Sequence, residues 1–147
     1  MKKYLKFSMV AAVAMMATTV QAQTEALQVN ALPQPAQQFI SKYYDINSVS
    51  HALVEDEFFS SKEYKVVLTD GTELEFDSKG NWTDIDGELK PVPEAIIPDK
   101  IRQYVHKTFP NNKIVQISRS SRKYEVELTS GIDLDFDSKA NFIRIDD

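Results

Sequence analysis

Residues 64–87 are YKVVLTDGTELEFDSKGNWTDIDG, and residues 124–147 are YEVELTSGIDLDFDSKANFIRIDD. The two stretches align without a gap at a spacing of 60 residues. Upstream of them, 32–45 aligns with 97–110 at a spacing of 65, which places a five-residue difference near the first strand of each unit. The chain therefore contains an internal repeat. We assign repeat 1 to 32–88 and repeat 2 to 97–147, joined by a proline-containing linker at 89–96, and we expect both to belong to one compact domain.

The N-terminus has the pattern of a secretory signal peptide. Lys2, Lys3 and Lys6 precede a short apolar run at 9–17, and a small-x-small motif ends at Ala22. Such a basic, then apolar, then small-residue order is typical of a cleaved export signal, and the run is too short to span a bilayer. We expect cleavage after Ala22 and a periplasmic or secreted protein. The absence of cysteine excludes a lipoprotein anchor and disulfides.

The charge of the chain limits its partners. The net charge is −5, and removal of the three lysines of the signal peptide takes it to −8. Nucleic-acid binding needs a basic stripe for the phosphates, so nucleic acid is excluded as a partner. A basic protein surface or a cation remains compatible with an acidic chain.

Periodicity predicts an α+β fold. We expect a disordered lead-in at 23–31 because that segment is polar and has no periodicity. Each repeat then begins with a short amphipathic helix, whose predicted inner faces are Ala36, Phe39, Ile40, Tyr43 and Ile101, Tyr104, Val105, Phe109. Four strands follow each helix, at 48–54, 62–69, 72–77 and 82–86, then at 113–118, 122–129, 132–137 and 142–146. Connections this short predict antiparallel meanders, with the helices packed on one face of the sheet.

The turns fix the strand register. A three-residue loop at 69–71, with Gly71 in the left-handed region, places Tyr64 opposite Phe76 and Val66 opposite Leu74. A four-residue loop at 78–81 then pairs Leu74 with Ile85 and Phe76 with Thr83. In repeat 2 the same register gives the pairs Tyr124–Phe136, Val126–Leu134, Leu134–Ile145 and Phe136–Ile143. Ala140 stands where repeat 1 has Gly80, so we expect strain if that position has positive φ.

The same register predicts a sheet face that the helices leave uncovered and that is rich in acids. Its expected residues are Lys65, Val67, Glu73, Glu75, Trp82, Asp84, Asp86, Glu125, Glu127, Asp133, Asp135, Phe142, Arg144 and Asp146. Glu125 would face Asp135, and Glu127 would face Asp133, although directly opposed like charges destabilise a sheet.

Two interpretations of this face remain open. Acids on a solvated face keep an edge-rich sheet soluble, and an exposed aromatic side chain can simply cap the core. Alternatively the face binds a protein, with Trp82 and Phe142 as apolar anchors. The candidate partner-binding residues are Lys65, Val67, Glu75, Trp82, Asp84, Glu125, Glu127, Asp133, Asp135, Phe142 and Arg144.

The sequence offers no catalytic or metal motif. His51 and His106 are the two histidines, and neither lies in a local nucleophile–base signature. The acidic segments 77–81 and 84–88 lack the twelve-residue ligand spacing of a calcium loop. We therefore expect a non-enzymatic protein without a cofactor or a specific metal, although Glu125, Glu127, Asp133 and Asp135 could gather a weakly bound cation.

The order of these motifs resembles a known family. Each repeat has a short helix, then Tyr-x-Val, Gly, apolar–acid alternation, and Phe-Asp-Ser-Lys-Gly/Ala-Asn-Trp/Phe. This order is similar to that of the PepSY-like, β-lactamase-inhibitor-like secreted proteins of Bacteroidetes, and the resemblance covers 32–147. It implies a tandem helix-plus-sheet fold similar to β-lactamase inhibitory protein, whose open sheet face grips an enzyme. It also implies a protein partner such as a peptidase, while a small-ligand or cation carrier and a self-assembling scaffold remain as alternatives.

Overall fold

The computed structural model describes residues 23–56 and 62–146. The predicted signal peptide, 1–22, lies outside the described residues. None of the helices in the described part is long and apolar enough to cross a membrane. The elements in chain order are β1 Gln23–Leu27, α1 Gln34–Tyr43, β2 Val49–Asp56, β3 Glu63–Leu68, β4 Glu73–Phe76, β5 Trp82–Asp86, α2 Asp99–Thr108, β6 Ile114–Arg119, β7 Lys123–Leu128, β8 Asp133–Asp137 and β9 Phe142–Asp146.

The described strands form one nine-stranded sheet in the order β1 to β9, so each strand pairs with its neighbours in sequence. Every pair is antiparallel. The expected α+β class is therefore confirmed. The pairing of β5 with β6 joins what we predicted as two meanders into a single surface.

Both helices pack on the same face of this sheet. Ala36 and Ile40 of α1 are buried, and Phe39 meets Phe76 edge-on at 5.6 Å between ring centroids. In α2, Tyr104 meets Phe136 in the same way, also at 5.6 Å. Each fully buried Leu, Ile or Phe side chain contributes about 1.5–3 kcal/mol. Burial against the sheet stabilises these ten-residue helices, which would be marginal alone.

The expected disordered lead-in is wrong, because 23–27 forms the edge strand β1. Its residues pair with β2, with Glu25 opposite Val54 and Leu27 opposite Ala52. Leu27 also packs against the hydrophobic core. The backbone of β2 would otherwise lie at the edge of the sheet, and an unpaired edge accepts a strand of weak intrinsic preference. Tertiary pairing, which the local composition does not reveal, therefore decides this segment.

The predicted hairpin turn between β3 and β4 is confirmed. Gly71 has φ +90°, and the Leu68 N–H donates to the Thr72 carbonyl at 2.9 Å. Gly131 has φ +85° in the corresponding turn between β7 and β8. The resulting registers place Val66 opposite Leu74 and Val126 opposite Leu134. All four of these side chains are buried on the helix side.

The next turn contains the expected strained position. Gly80 has φ +85° and Ala140 has φ +65°, so both lie in the left-handed region. In each turn an aspartate holds the loop: the Asp77 Oδ1 accepts from the Asn81 N–H at 2.9 Å, and the Asp137 Oδ1 accepts from the Asn141 N–H at 2.9 Å. These hydrogen bonds favour the tight turn in both halves.

Beyond this turn, the predicted pairing of Phe76 with Thr83 and of Phe136 with Ile143 is wrong. Phe76 lies opposite Trp82 and Phe136 lies opposite Phe142, because the register shifts by one residue at this point in each hairpin. The extra residue is a β-bulge, which re-aims the side chain beside it. Trp82 and Phe142 consequently turn toward the helices. After the bulge the predicted pairs Leu74–Ile85 and Leu134–Ile145 are confirmed.

We expect stability to respond more strongly to exchange at Gly80 than at Ala140, although both positions are left-handed. A Cβ at Gly80 would lie 2.8 Å from the Pro33 Cβ and 3.0 Å from the Ala36 nitrogen, so Gly80→Ala combines strain with a clash. Its expected cost is about 1–3 kcal/mol. Ala140→Gly relieves the strain but loses a buried methyl group and gains unfolded-state entropy, so a change within about 0.5 kcal/mol is expected. Urea denaturation measures both, and a larger loss for Ala140→Gly than for Gly80→Ala would contradict this account.

Candidate functional site: the acidic open face

Strand alternation places a set of mostly polar side chains on the sheet face opposite the helices, which we call the open face. These side chains come from the seven neighbouring strands β3 to β9. They are Lys65, Val67, Glu73, Glu75, Asp84, Asp86, Gln116, Ser118, Glu125, Glu127, Asp133, Asp135, Arg144 and Asp146.

The acids of the open face form two groups. The first ladder, on β4 and β5, pairs Glu73 with Asp86 and Glu75 with Asp84. The second ladder, on β7, β8 and β9, pairs Glu125 with Asp135, Glu127 with Asp133, and Asp133 with Asp146. Between the two ladders, β6 contributes the neutral side chains Gln116 and Ser118.

Few cations relieve these acids. Lys65 lies opposite Glu75, as predicted, but its Nζ forms its ion pair with the Glu73 Oε2 at 3.1 Å. In the second ladder the Arg144 Nε lies 3.0 Å from the buried Asp135 Oδ2. Lys123 forms an ion pair with Glu125 at the end of β7. The acids opposite one another therefore outnumber the cations that lie between them.

The electrostatics of the first ladder favour proton uptake. Burial, followed by the charge of Glu75, raises the pKa of Asp84 from 3.8 to about 7. The Gln116 side-chain amide opposes this shift by donating to the Asp84 Oδ1 at 3.2 Å. Burial also raises the pKa of Glu75, which the charge of Lys65 partly offsets. A cation brought to this ladder would be attracted, because it would lower the cost of keeping both carboxylates ionised.

The second ladder shows the same signature at one residue. Burial raises the pKa of Asp133, and the charges of Glu127 and Asp146 raise it further. Arg144 lies opposite Asp135 and forms its ion pair with that residue rather than with Asp133. Both ladders thus present like charges whose mutual repulsion a positively charged partner would relieve.

The predicted aromatic anchors do not lie on the open face. Trp82 is buried on the helix side, with the Arg119 guanidinium carbon 3.9 Å from its ring centroid and the Arg119 Nε donating to its carbonyl at 2.8 Å. Phe142 stacks on Tyr104 of α2, with centroids 4.3 Å apart and ring planes 13° apart. The bulge in each hairpin is the cause, since it moves the aromatic residue to the other face.

The structure brings together the other predicted partner-binding residues and adds some. Val67 is the apolar member, and it lies beside Glu73 in the sheet. Our sequence-based set of binding residues omitted Gln116 and Ser118 of β6, which connect the two ladders. The alternation of buried Ile114 and Ile117 around them was the available signal, but a bulge between Ile114 and Gln116 interrupts it.

The two histidines lie on opposite faces of the sheet, with His51 opposite Val67 on the open face. The His106 Nε2 lies 3.4 Å from the Glu94 Oε1 on the exposed helix side. His51 is exposed on β2, with its Nδ1 3.3 Å from the Ser50 hydroxyl. Within 23–56 and 62–146, no group of three or more His, Asp or Glu side chains is arranged to hold a metal ion.

Residues 62–144 match the family described as "Putative beta-lactamase-inhibitor-like, PepSY-like". Curated proteins give no match to the chain. Solved structures of Bacteroides proteins do match it. A "putative calcium-regulated periplasmic protein" from Bacteroides thetaiotaomicron is 41% identical with a TM-score of 0.81, over 84% of this chain and 97% of that one.

Two further similar structures come from Bacteroides vulgatus. A "putative periplasmic protein" of the DUF2874 family is 40% identical with a TM-score of 0.79, over 84% of this chain and 97% of that one. A "putative periplasmic protein of unknown function" is 36% identical with a TM-score of 0.81, over 85% of this chain and 100% of that one. The fold described above is thus shared along nearly the whole length of these proteins.

We expect Asp84→Asn to change how stability depends on pH. Because the folded-state pKa of Asp84 is raised to about 7, the native state binds a proton more tightly than the unfolded state, whose pKa is near 3.8. The carboxyl therefore costs nothing below pH 3.8, and stability falls as pH rises toward 7. After allowance for solvent screening, the variant should gain about 1–2 kcal/mol above pH 7.

Thermal or urea unfolding between pH 4 and pH 8 measures this difference. Asp56→Asn, at the exposed end of β2, is the control and should leave the wild-type pH profile unchanged. Identical profiles for Asp84→Asn and wild type would contradict the assignment of Asp84 as a destabilised carboxylate.

Proposed function

Because this chain belongs to the PepSY-like, β-lactamase-inhibitor-like family, we propose that it is an exported, non-enzymatic binding protein. Its likeness to periplasmic proteins of Bacteroides supports action in the periplasm or outside the cell. The proposal includes cleavage of the N-terminal segment after Ala22, as the sequence pattern predicts. It also includes descent of the two halves from a duplicated unit and a likeness in shape to β-lactamase inhibitory protein.

The partner in this proposal is a protein with a basic surface, such as a peptidase or another envelope or secreted enzyme, whose activity the complex regulates or inhibits. One observation carries it: the open face holds two ladders of opposed carboxylates, and burial and like charge raise the pKa of Asp84, Glu75 and Asp133. Lys or Arg side chains placed between the ladders would relieve this repulsion. Complementary charge of this kind accelerates association and excludes acidic partners.

The residues proposed to bind differ from the sequence-based set in one respect. Lys65, Val67, Glu75, Asp84, Glu125, Glu127, Asp133, Asp135 and Arg144 keep the role, joined by Gln116 and Ser118 between the ladders. Trp82 and Phe142 leave it, because they lie on the helix side. The interface would therefore depend on charge and hydrogen bonds more than on apolar anchors.

A cation is the second candidate ligand, favoured by the description of the Bacteroides thetaiotaomicron protein as calcium-regulated. Glu125, Glu127, Asp133 and Asp135 are oxygen ligands of the type that calcium prefers. Their arrangement does not form a ready site, since the described residues contain no group of three or more acids or histidines placed to hold an ion. A cation would therefore have to draw the second ladder together on binding.

A capture experiment with matched charge variants tests the proposal. The open-face variant carries Glu75→Gln, Glu127→Gln and Asp133→Asn, and the control variant carries Asp56→Asn, Glu88→Gln and Glu94→Gln on exposed positions elsewhere. Both lose the same charge. The open-face variant should remain folded, because the removed carboxylates repel their neighbours. Residues 23–147 of each form are immobilised and exposed to envelope and culture fractions of the source bacterium.

We expect a basic protein to be captured by wild type and control, released by added salt, and lost by the open-face variant. Identification by mass spectrometry then allows direct binding and inhibition assays with the purified protein. Equal capture by all three forms would reject the open face as the binding surface. If instead millimolar calcium raises the melting temperature, and Asp133→Asn with Asp135→Asn abolishes the rise, cation binding replaces protein binding as the function of this face.

A further inference from the structure

The free edge of β9 differs from the corresponding edge of β5. The two strands occupy equivalent places in their hairpins, but β6 pairs with β5, whereas no described strand pairs with the outer side of β9. Ile85 of β5 is 0% exposed, and Ile145 at the equivalent position of β9 is 46% exposed. Trp82, which Arg119 of β6 covers, is 8% exposed, and Phe142 is 38% exposed. In β5, the neighbouring strand β6 thus covers the apolar side chains that are exposed at the equivalent positions of β9.

The backbone of β9 is ready for another strand. The Asp137 N–H donates to the Asn141 carbonyl, which shows that alternate residues of β8, from Asp137 to Asp133, direct their backbone groups toward β9. Arg144 and Asp146 oppose Asp135 and Asp133 and therefore complete these bonds. The N–H and C=O of Ile145 consequently point toward the free edge, as those of Ile85 point toward Ile117 of β6.

The charges beside Ile145 suit a second copy of the same strand. In an antiparallel pair that places Ile145 opposite Ile145 of the second copy, each Arg144 lies opposite Asp146 of the other copy. Opposite charges in such cross-strand positions stabilise a sheet, and the two-fold axis makes both contacts equivalent. Asp146 faces Asp133 within its own chain, and in the dimer it would also face Arg144 of the second copy.

We propose that this protein forms a two-fold dimer in which the β9 strands of two copies pair edge to edge about Ile145. The proposal goes beyond the proposed function, since it uses the sheet edge and not the open face. The dimer would join two open faces into one continuous surface of eighteen strands, because a two-fold axis perpendicular to the sheet keeps the helices of both copies on the same side. The acid ladders would thereby be presented twice.

Growth by pairing β9 with β1 of the next copy is less favourable. Since the sheet has nine antiparallel strands, β1 and β9 run in the same direction, and simple stacking would place them parallel to one another. Parallel pairing is slightly weaker per residue, and head-to-tail contact of this kind generates open filaments. The self-pairing of β9 closes after two copies and leaves β1 as the outer edge.

Single-cysteine variants test this geometry without interference, because the chain has no cysteine. In the proposed register the two Ile145 Cα atoms lie about 5.5 Å apart, within the range of a disulfide. The two Ile143 Cα atoms lie about 14 Å apart, which is outside that range. Under mild oxidation with diamide, Ile145→Cys should form a covalent dimer on a non-reducing gel and Ile143→Cys should not. Equal cross-linking of the two variants would overturn the proposed register.

Charge exchange tests the register by a second route. Asp146→Lys and Arg144→Glu each place like charges opposite one another in the homodimer, so each should weaken dimerisation by about ten-fold or more. Mixing the two variants restores both opposite-charge pairs and should restore dimers. Light scattering and sedimentation over a range of concentrations measure the mass.

The Asp146→Lys variant leaves the ion pair between Arg144 and Asp135 intact, so a loss of dimer there is not explained by misfolding. Wild type that remains monomeric at every concentration, or dimers that survive both exchanges unchanged, would overturn the proposal. If no dimer forms, the capture experiment on the open face still stands, because a monomer presents the same ladders.

Discussion

The residue pairing in the β3–β4 and β7–β8 hairpins decides which side chains each face of the sheet presents. In both turns a glycine with positive φ closes a three-residue loop, and strand alternation then sends aromatic and aliphatic residues to one side and acids to the other. A slip of one residue would bury Glu75 and Asp135 beneath the helices and expose Phe76 and Phe136. The desolvation of unpaired carboxylates is far more costly than any loss in turn geometry, so burial and turn chemistry enforce the same register.

The core supports an open face that is unfavourable in itself. Opposed like charges cost a few tenths to about 1 kcal/mol per pair. One buried Phe or Leu contributes about 1.5–3 kcal/mol, so the side chains buried under α1 and α2 more than offset the repulsion between the carboxylates of the ladders. The fold thus tolerates the acids without needing them. This independence is what allows a surface to be shaped by binding, and it is consistent with the binding role that we propose.

Local periodicity revealed most of this architecture, and tertiary effects account for the differences. The helices, the eight strands β2 to β9 and their turns follow from apolar spacing and from Gly71 and its counterpart Gly131. Strand β1 does not, because its pairing depends on the exposed edge of β2 rather than on its own composition. The bulges at the start of β5 and β9 were also hidden, since one extra residue in a strand leaves the apolar pattern intact while it moves Trp82 to the other face.

That displacement changes the kind of interface that the open face can form. Trp82 is held by Phe39 on one side and by Arg119 on the other, so it stabilises the junction between the two halves of the sheet. The face that remains has Val67 and Leu53 as apolar members and carries carboxylates on β4, β5, β7, β8 and β9. Interfaces without buried aromatic anchors obtain their specificity from complementary charge, which acts at long range and is screened by salt. Under the proposed function, a partner would therefore be selected by its basic surface. Likeness to an inhibitor family in fold alone does not carry over the contacts by which such a protein grips its enzyme.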